Sequence, residues 1–268
     1  MACWHWSELE QAVLELIKSS TSRVALVAGA SRGIGLALVT ELLEQGGWQV
    51  LAACRQPEQA QSLISLKNQF ANQLTLLSLD VTDEQSLAGF KQQCLQHCQH
   101  IDLVFNTIGL LHGPDLRPEK SLKQLSMNNL NSVFAVNAFA PILLAQVVAD
   151  LLAKSSQSWF VSLSARVGSI SDNQLGGWYS YRAAKAAQNQ LLKTLSIEWA
   201  RTQPNCCVLL MHPGTTDTDL SRPFQRNVLE NKLFSAKYVA TSLLTLTLNK
   251  SPLDSGQFLA WNGDLIAW

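Results

Sequence analysis

Tyr181 and Lys185 stand four residues apart in GGWYSYRAAK, at the head of a stretch whose later apolar positions Leu191, Leu192, Leu195 and Trp199 keep a helical period. On a helix, residues i and i+4 share a face, so a phenol and an ammonium are offered to the same neighbour. A nearby cation favours phenolate and lowers a tyrosine pKa from its usual value of about 10. For Tyr181 to exchange a proton at neutral pH that value must fall to near 7. The cost is roughly 4 kcal/mol, which a close cation in a water-poor site can supply. Tyr and Lys at this spacing are common by chance, so the pair gains weight only if a partner for the chemistry is encoded elsewhere.

The strand-like run Val24-Ala-Leu-Val-Ala28 leads directly into Gly29-Ala-Ser31-Arg32-Gly33-Ile34-Gly35, followed by the helical pattern LALVTELLEQ. Between a buried strand and a helix, such glycines put free backbone N–H groups and a positive helix end against a pyrophosphate. Gly29, Ser31, Arg32, Gly33, Ile34 and Gly35 are therefore expected to hold a dinucleotide. An acidic residue about twenty positions further on would bind the ribose 2′-hydroxyl. The sequence there is Ala53-Cys54-Arg55, with no acid. Arg55 and Arg32 instead suit a 2′-phosphate, whose geometry a guanidinium matches, and the expected cofactor is NADP(H). Asp80-Val81 and Asn106-Thr-Ile-Gly109 close the third and fourth apolar runs, where a doubly wound sheet binds its ligand. Asp80 is expected to accept from the adenine amino group, leaving Thr82 and Asp83 to cap the next helix.

Loop and pair can meet only if regular elements bring them together. Apolar or β-branched runs recur at Val24 to Val27, Trp48 to Ala53, Leu74 to Leu79, Ile101 to Phe105, Trp159 to Leu163, Val208 to Met211 and Gln257 to Ala260. Their near-continuous apolarity fits strands covered on both faces. Helical periods fill the gaps, as in Leu36, Val39, Leu42 and Leu43. This alternation predicts an α/β fold: a doubly wound parallel sheet, Rossmann-type, of about seven strands with helices on both faces. No repeat or linker divides residues 23 to 268, so one domain is expected there. Residues 1 to 22 read as an N-terminal helical extension with Leu9, Val13, Leu16 and Ile17 on one side.

From about Arg23 to Gly263 the chain resembles the short-chain dehydrogenase/reductase family in its single-domain type. GASRGIG is similar to the family's cofactor loop, Tyr181-xxx-Lys185 to its catalytic pair, and Pro213-Gly214 through Thr218 to its PGxxxT segment. SARVGSI and GGWYSYRAAKAA are similar to the C-factor-like and sniffer-like carbonyl reductases. The resemblance implies hydride transfer between a nicotinamide and a carbonyl or alcohol. It further implies that Lys185 holds the nicotinamide ribose and that Pro213, Gly214, Thr216 and Thr218 line the cofactor. Asn137 would anchor a proton-relay water, and the assembly would be a homodimer or homotetramer. Two departures stand out. The family's catalytic serine precedes xxG, yet Ala165 occupies that position; Ser164, one residue earlier, is the expected replacement, with Ser162 and Ser169 as rivals. Thr107-Ile108 stands where the family commonly has Asn-Ala. A cofactor-binding signalling or scaffold protein with little turnover is the alternative that the altered serine position permits.

Residues 215 to 235 read as a flap over the substrate, with Phe224 and Trp178 as candidate pocket walls. With no arginine cluster beyond Arg166 and Arg182, an aldehyde or ketone of modest polarity is the expected substrate. Apolar residues beyond one face of their helices, namely Ile142, Leu143, Val147, Leu151, Leu191 and Leu195, suggest a symmetric helical interface. Lys+Arg and Asp+Glu both total 20, which gives no footprint for nucleic acid. The acidic residues Glu8, Glu10 and Glu15 break any leader-like run, so a cytoplasmic location is expected. No uncharged apolar stretch is read as long enough to span a membrane. Cys94, His97, Cys98 and His100 are read as a buried thiol pair with exposed imidazoles, and no metal is expected.

Overall fold

The computed structural model describes residues 22–268; the helix expected ahead of the first strand lies outside the described residues. Seven strands form one sheet: β1 (Arg23–Ala28), β2 (Trp48–Cys54), β3 (Leu74–Ser78), β4 (Leu103–Asn106), β5 (Ser158–Leu163), β6 (Cys206–His212) and β9 (Gln257–Ala260). Their order is β3-β2-β1-β4-β5-β6-β9 and every pairing is parallel. A second, two-residue pair joins β7 (Thr215–Thr216) to β8 (Leu233–Phe234) at the base of the flap. The doubly wound parallel sheet expected from the alternating pattern is therefore the fold. One strand begins later than its apolar run: Ile101 makes only an isolated bridge to Leu152, and the ladder starts at Leu103.

Period-two alternation divides each strand between two cores. Leu26, Ala28, Leu51 and Val104 face one side, packing against α3 (Glu84–Leu95), α5 (Ala140–Val148) and α6 (Tyr179–Thr202). Ala25, Val27, Ala52 and Leu103 face the other, under α1 (Gly33–Gln45), α2 (Gln61–Gln69) and α7 (Ala236–Leu248). At roughly 1.5–3 kcal/mol for each large side chain removed from water, these layers supply the rigidity on which the loops depend. Sequence order reverses between β1 and β4, so the loops that follow them diverge and open a crevice at the carboxyl edge of the sheet.

One expectation is corrected. Met127–Leu151, which opens with α4 (Met127–Phe134), is a continuous helical run of 25 residues whose most apolar 18-residue window has mean hydropathy 1.9, so length and composition do not exclude a spanning segment. Within the fold this run is a core helix, with Ala140, Leu144, Ala145, Val148 and Leu151 buried in the same layer as Leu26 and Phe160. Leu151 and Leu195 belong to that core and are not available to a partner, whereas Leu143 is exposed. Among the described residues no group of three or more His, Cys, Asp or Glu side chains is placed to hold a metal. Burial pushes the Cys94 thiol up to about 12 and Cys98 to about 11, which keeps both protonated.

Candidate active site

The cofactor loop is built from main chain. Gly29 and Ala30 N–H groups both donate to the Ala53 carbonyl, at 2.9 and 3.1 Å, tying the end of β1 to the end of β2. The chain then turns through Ser31 and Arg32 into α1. That helix has no side-chain cap on Arg32 and no acidic residue in its first turn, so its leading N–H groups and positive end stay available to an anion. Gly35 cannot be replaced cheaply, because a Cβ there would sit 2.3 Å from the Gly29 carbonyl oxygen. Ile34 is half-buried against the α1 core. From above, the Thr218 methyl group lies 3.2 Å from where a Gly33 Cβ would stand, which brings the Pro213–Thr218 segment over the loop. Gly214 takes a positive φ of 75° under the Phe234 and Trp261 rings, and Thr216 is buried behind it.

Thr107 acquires a reason here. Its hydroxyl donates to the Ala28 carbonyl at 2.8 Å and approaches that of Gly29 at 3.2 Å, so the residue where the family commonly has asparagine fastens the β4 loop to the cofactor loop. Asn106 is buried, donates to Ser162 Oγ at 2.8 Å and accepts from the Ile108 N–H. Gly109 lies beside Asn137 Oδ1. Asp83 caps α3 through the Ser86 N–H. Asp80 accepts from the Thr82 hydroxyl and N–H, which lower its pKa, with a smaller contribution from the Arg55 charge. Val81 is buried next to it. Arg55 and Arg32 are both exposed at this edge; Arg32 reaches Asp219 of the flap at 3.5 Å, a weak contact between solvated groups.

Across the crevice, α6 carries a polar stripe on its buried face. Lys185 is buried, and its Nζ donates to the Leu163 carbonyl and to Gln188 Oε1, each at 2.8 Å. Gln188 Nε2 in turn donates to Ser162 Oγ at 2.9 Å, which closes a chain from α6 through β5 to Asn106 on β4. The lysine ammonium lies 5.9 Å from the centre of the Tyr181 ring. Gly168 permits this packing, since a Cβ there would stand 2.9 Å from that of Lys185.

The expected lowering of the Tyr181 pKa is not what this environment produces. Burial pushes Tyr181 up to about 12 and Lys185 down to about 7. Desolvation penalises both charged forms, and it outweighs a single cation that points at two acceptors of its own. Tyr181 is thus a protonated phenol throughout the neutral range, a donor rather than a base.

Ser164 has a partner of its own. Its hydroxyl is buried and donates to Asn189 Oδ1 at 2.6 Å, so its proton is directed into α6. Ser162 accepts from Asn106 and Gln188, and Ser169 lies within 3.3 Å of Ser171 Oγ while accepting from the Asp172 N–H. The side chain from this loop that joins the Tyr181 cluster is Ala165, together with Leu111, Val167, Trp178, Leu220 and Phe224. Trp178 and Phe224 pack edge to face, with ring centres 4.9 Å apart and Trp178 6.2 Å from Tyr181. Arg182 is occupied by the carbonyls of Gly176, Gly177 and Val167, and Arg166 faces Asp172 at 3.8 Å.

Asn137 sits in a π-helical turn, Ala135–Phe139, in the middle of the long core helix. Its side chain accepts from the Leu110 N–H at 3.0 Å and donates to the carbonyls of Leu110 and Val133 at 2.7 and 2.9 Å. What remains for a proton relay is its main-chain carbonyl, to which Pro141, four residues on, can offer no N–H. Gln188, Asn189 and Glu119 are site residues that motif reading passed over. The first two had a signal, since polar side chains three and four positions after Lys185 fall on the face that must be buried.

A family model described as short chain dehydrogenase matches residues 23–228. An uncharacterized oxidoreductase of Schizosaccharomyces pombe is 27% identical over 258 residues, covering 92% of this chain and 99% of that protein. A 1-hydroxy-2-glutathionyl-2-methyl-3-butene dehydrogenase of Rhodococcus is 28% identical over 244 residues, covering 91% and 98%. Among solved structures, NADPH-bound carbonyl reductase from chicken fatty liver superposes with a TM-score of 0.82 at 27% identity, over 92% of this chain and 99% of that one. The carbonyl reductase Sniffer of Drosophila melanogaster shares the fold with a TM-score of 0.80 at 22% identity, over 92% and 100%. With the uncapped helix at the switch point, the buried Tyr181 and Lys185 across from it and this match over most of its length, the chain belongs to the short chain dehydrogenase family of oxidoreductases.

Proposed function

We propose that the protein is an NADP(H)-dependent carbonyl reductase acting on aldehydes or ketones of modest polarity. The observation that carries this reading is the buried, protonated Tyr181 beside Lys185, set at the same sheet edge as an uncapped α1. The glycine cradle at Gly29, Gly33 and Gly35 fits a pyrophosphate, and Arg32 and Arg55 at the ends of β1 and β2 suit a 2′-phosphate. When bound, the nicotinamide supplies a hydride to the carbonyl carbon. Tyr181 gives its proton to the carbonyl oxygen, which completes the alcohol. Lys185, held by Leu163 and Gln188, stabilises the phenolate left behind, and the Asn137 carbonyl anchors the path that restores the proton. Ala165 offers no hydroxyl, so Tyr181 alone from this cluster polarises the carbonyl. The wall of Trp178, Phe224 and Leu111 favours an apolar or aromatic carbonyl, and Arg166 and Arg182 are engaged by Asp172 and by main-chain carbonyls. Exposed Phe139, Leu143 and Ile197 support a homodimer or homotetramer, and the reading includes a cytoplasmic location and no nucleic acid or membrane partner.

The test is NADPH oxidation with a panel of aldehydes and ketones. Tyr181→Phe is expected to lower kcat by about a thousandfold while NADPH affinity stays within about twofold; activity that survives it defeats the mechanism. Arg55→Asp should invert the preference between NADPH and NADH, and an unchanged ratio defeats the cofactor assignment. The committed Ser164 hydroxyl and Ala165 favour one other reading, a cofactor-binding signalling or scaffold protein. NADPH binding without turnover on any carbonyl would select it.

A further inference from the structure

Tyr181 is the third residue of α6, so the direction of its hydroxyl depends on how that helix begins. The start is unusual. Gly176, Gly177 and Trp178 all take positive φ, at 62°, 65° and 51°, and Trp178 is the one non-glycine residue in that region among the described residues. A tryptophan in the left-handed region is strained by its own Cβ, and as the residue before the helix it provides no side-chain cap.

Glu119 holds this start from 61 positions away. The Trp178 N–H donates to the Glu119 main-chain carbonyl at 2.5 Å. The Ser180 N–H donates to Glu119 Oε2 at 3.2 Å, and the Ser180 hydroxyl donates to Oε1. Glu119 is only 2% exposed, and no ion pair reaches it among the described residues. Its acceptors therefore serve the leading edge of α6, at the end where a helix favours negative charge. The same loop is pinned at Leu110 by Asn137, and between the two anchors His112 donates to the Asp219 carbonyl of the flap at 3.1 Å.

We propose that Glu119 is a positioning residue that caps α6 from outside, aiming the Tyr181 hydroxyl and keeping Trp178 in its left-handed conformation as part of the substrate wall. Its effect on rate rests on the reading of Tyr181 as proton donor; its effect on geometry does not. Glu119→Ala should lower kcat by about thirtyfold and raise KM for an aromatic aldehyde by about fivefold, with NADPH affinity within about twofold. Glu119→Gln accepts from the Ser180 N–H and donates to its hydroxyl, and is expected to recover kcat to within about threefold of the parent. Hydrogen exchange gives the second readout: in Glu119→Ala the amide of Ser180 should exchange about tenfold faster or more, while those of β1 and β6 are unchanged.

The proposal is overturned if folded Glu119→Ala keeps kcat and KM within about twofold, if the Ser180 amide stays protected, or if Glu119→Gln is as impaired as Glu119→Ala. Should Glu119→Ala not fold, Ser180→Ala removes one contact from the other side. It is expected to lower kcat by about fivefold with faster exchange at the amide of residue 180, and no change in either overturns the cap. Loss of protection in Glu119→Ala, with a parent protein that reduces no carbonyl, would leave the cap standing and defeat the assigned chemistry.

Discussion

The two sides of the crevice are built from different materials. On the cofactor side, the loop from Gly29 to Gly35 presents backbone N–H groups, and its glycines matter for what they lack. On the chemical side, Lys185, Gln188, Ser162 and Asn106 form one buried chain of hydrogen-bonded side chains and Ser164 and Asn189 a second, drawn from two strands, the residue that follows β5 and one helix. A backbone cradle needs only a local string and a strand-to-helix turn, so side-chain changes around it cost little. A buried side-chain network fails when any member loses its partner, because an unsatisfied buried polar group costs about 1–3 kcal/mol. Departures from the family pattern can therefore be absorbed differently on the two sides. Thr107 replaces the common residue with a new tether, whereas Ala165 puts a methyl group into a cluster whose one hydroxyl is that of Tyr181.

This contrast can be broken or sharpened by experiment. After the loss of kcat expected for Tyr181→Phe, the largest expected effect is on the cofactor side. Gly35→Ala forces a Cβ to 2.3 Å from the Gly29 oxygen, and NADPH affinity should fall by about a hundredfold, roughly 3 kcal/mol, in a fluorescence titration. Retained affinity would mean that the loop is more deformable than a main-chain cradle allows.

An intermediate effect belongs to the chemical side. Lys185 is held at about 7 in the fold against 10.5 as its ordinary value. Between those values the unfolded chain binds more protons, so stability should rise with pH at up to about 1.4 kcal/mol per unit, and below about 7 the rise is absent. Urea unfolding at pH 7 and pH 9 should show this rise in the parent and lose it in Lys185→Met. An equal rise in both proteins would show that Lys185 does not carry it.

The smallest effect tests the missing hydroxyl. Ala165→Ser should raise kcat on a simple ketone by about three- to tenfold, and an unchanged or lower kcat would mean that another donor already holds the carbonyl.

Much of this arrangement was legible in the chain. The α/β alternation, seven strand runs, the cofactor loop and the i, i+4 spacing of Tyr181 and Lys185 are short-range patterns, and each follows from steric and hydrophobic periodicity within a few residues. Legibility failed where a residue's role depends on a distant partner. Ser164 reads in the chain as a donor to substrate, whereas in the fold its hydroxyl donates to Asn189, 25 positions away. Leu151 and Leu195 looked like interface until the sheet covered them.

The opening pair shows the division most clearly. Sequence alone determined that Tyr181 and Lys185 share a helix face and that a glycine-rich strand-to-helix loop precedes them, because both are matters of local geometry. Only the tertiary structure decided their protonation, with Tyr181 driven to about 12 and Lys185 to about 7, and which residue starts the helix that aims them. Desolvation and capping by Glu119 are set by what surrounds a group in space, and a linear pattern carries no record of that surrounding.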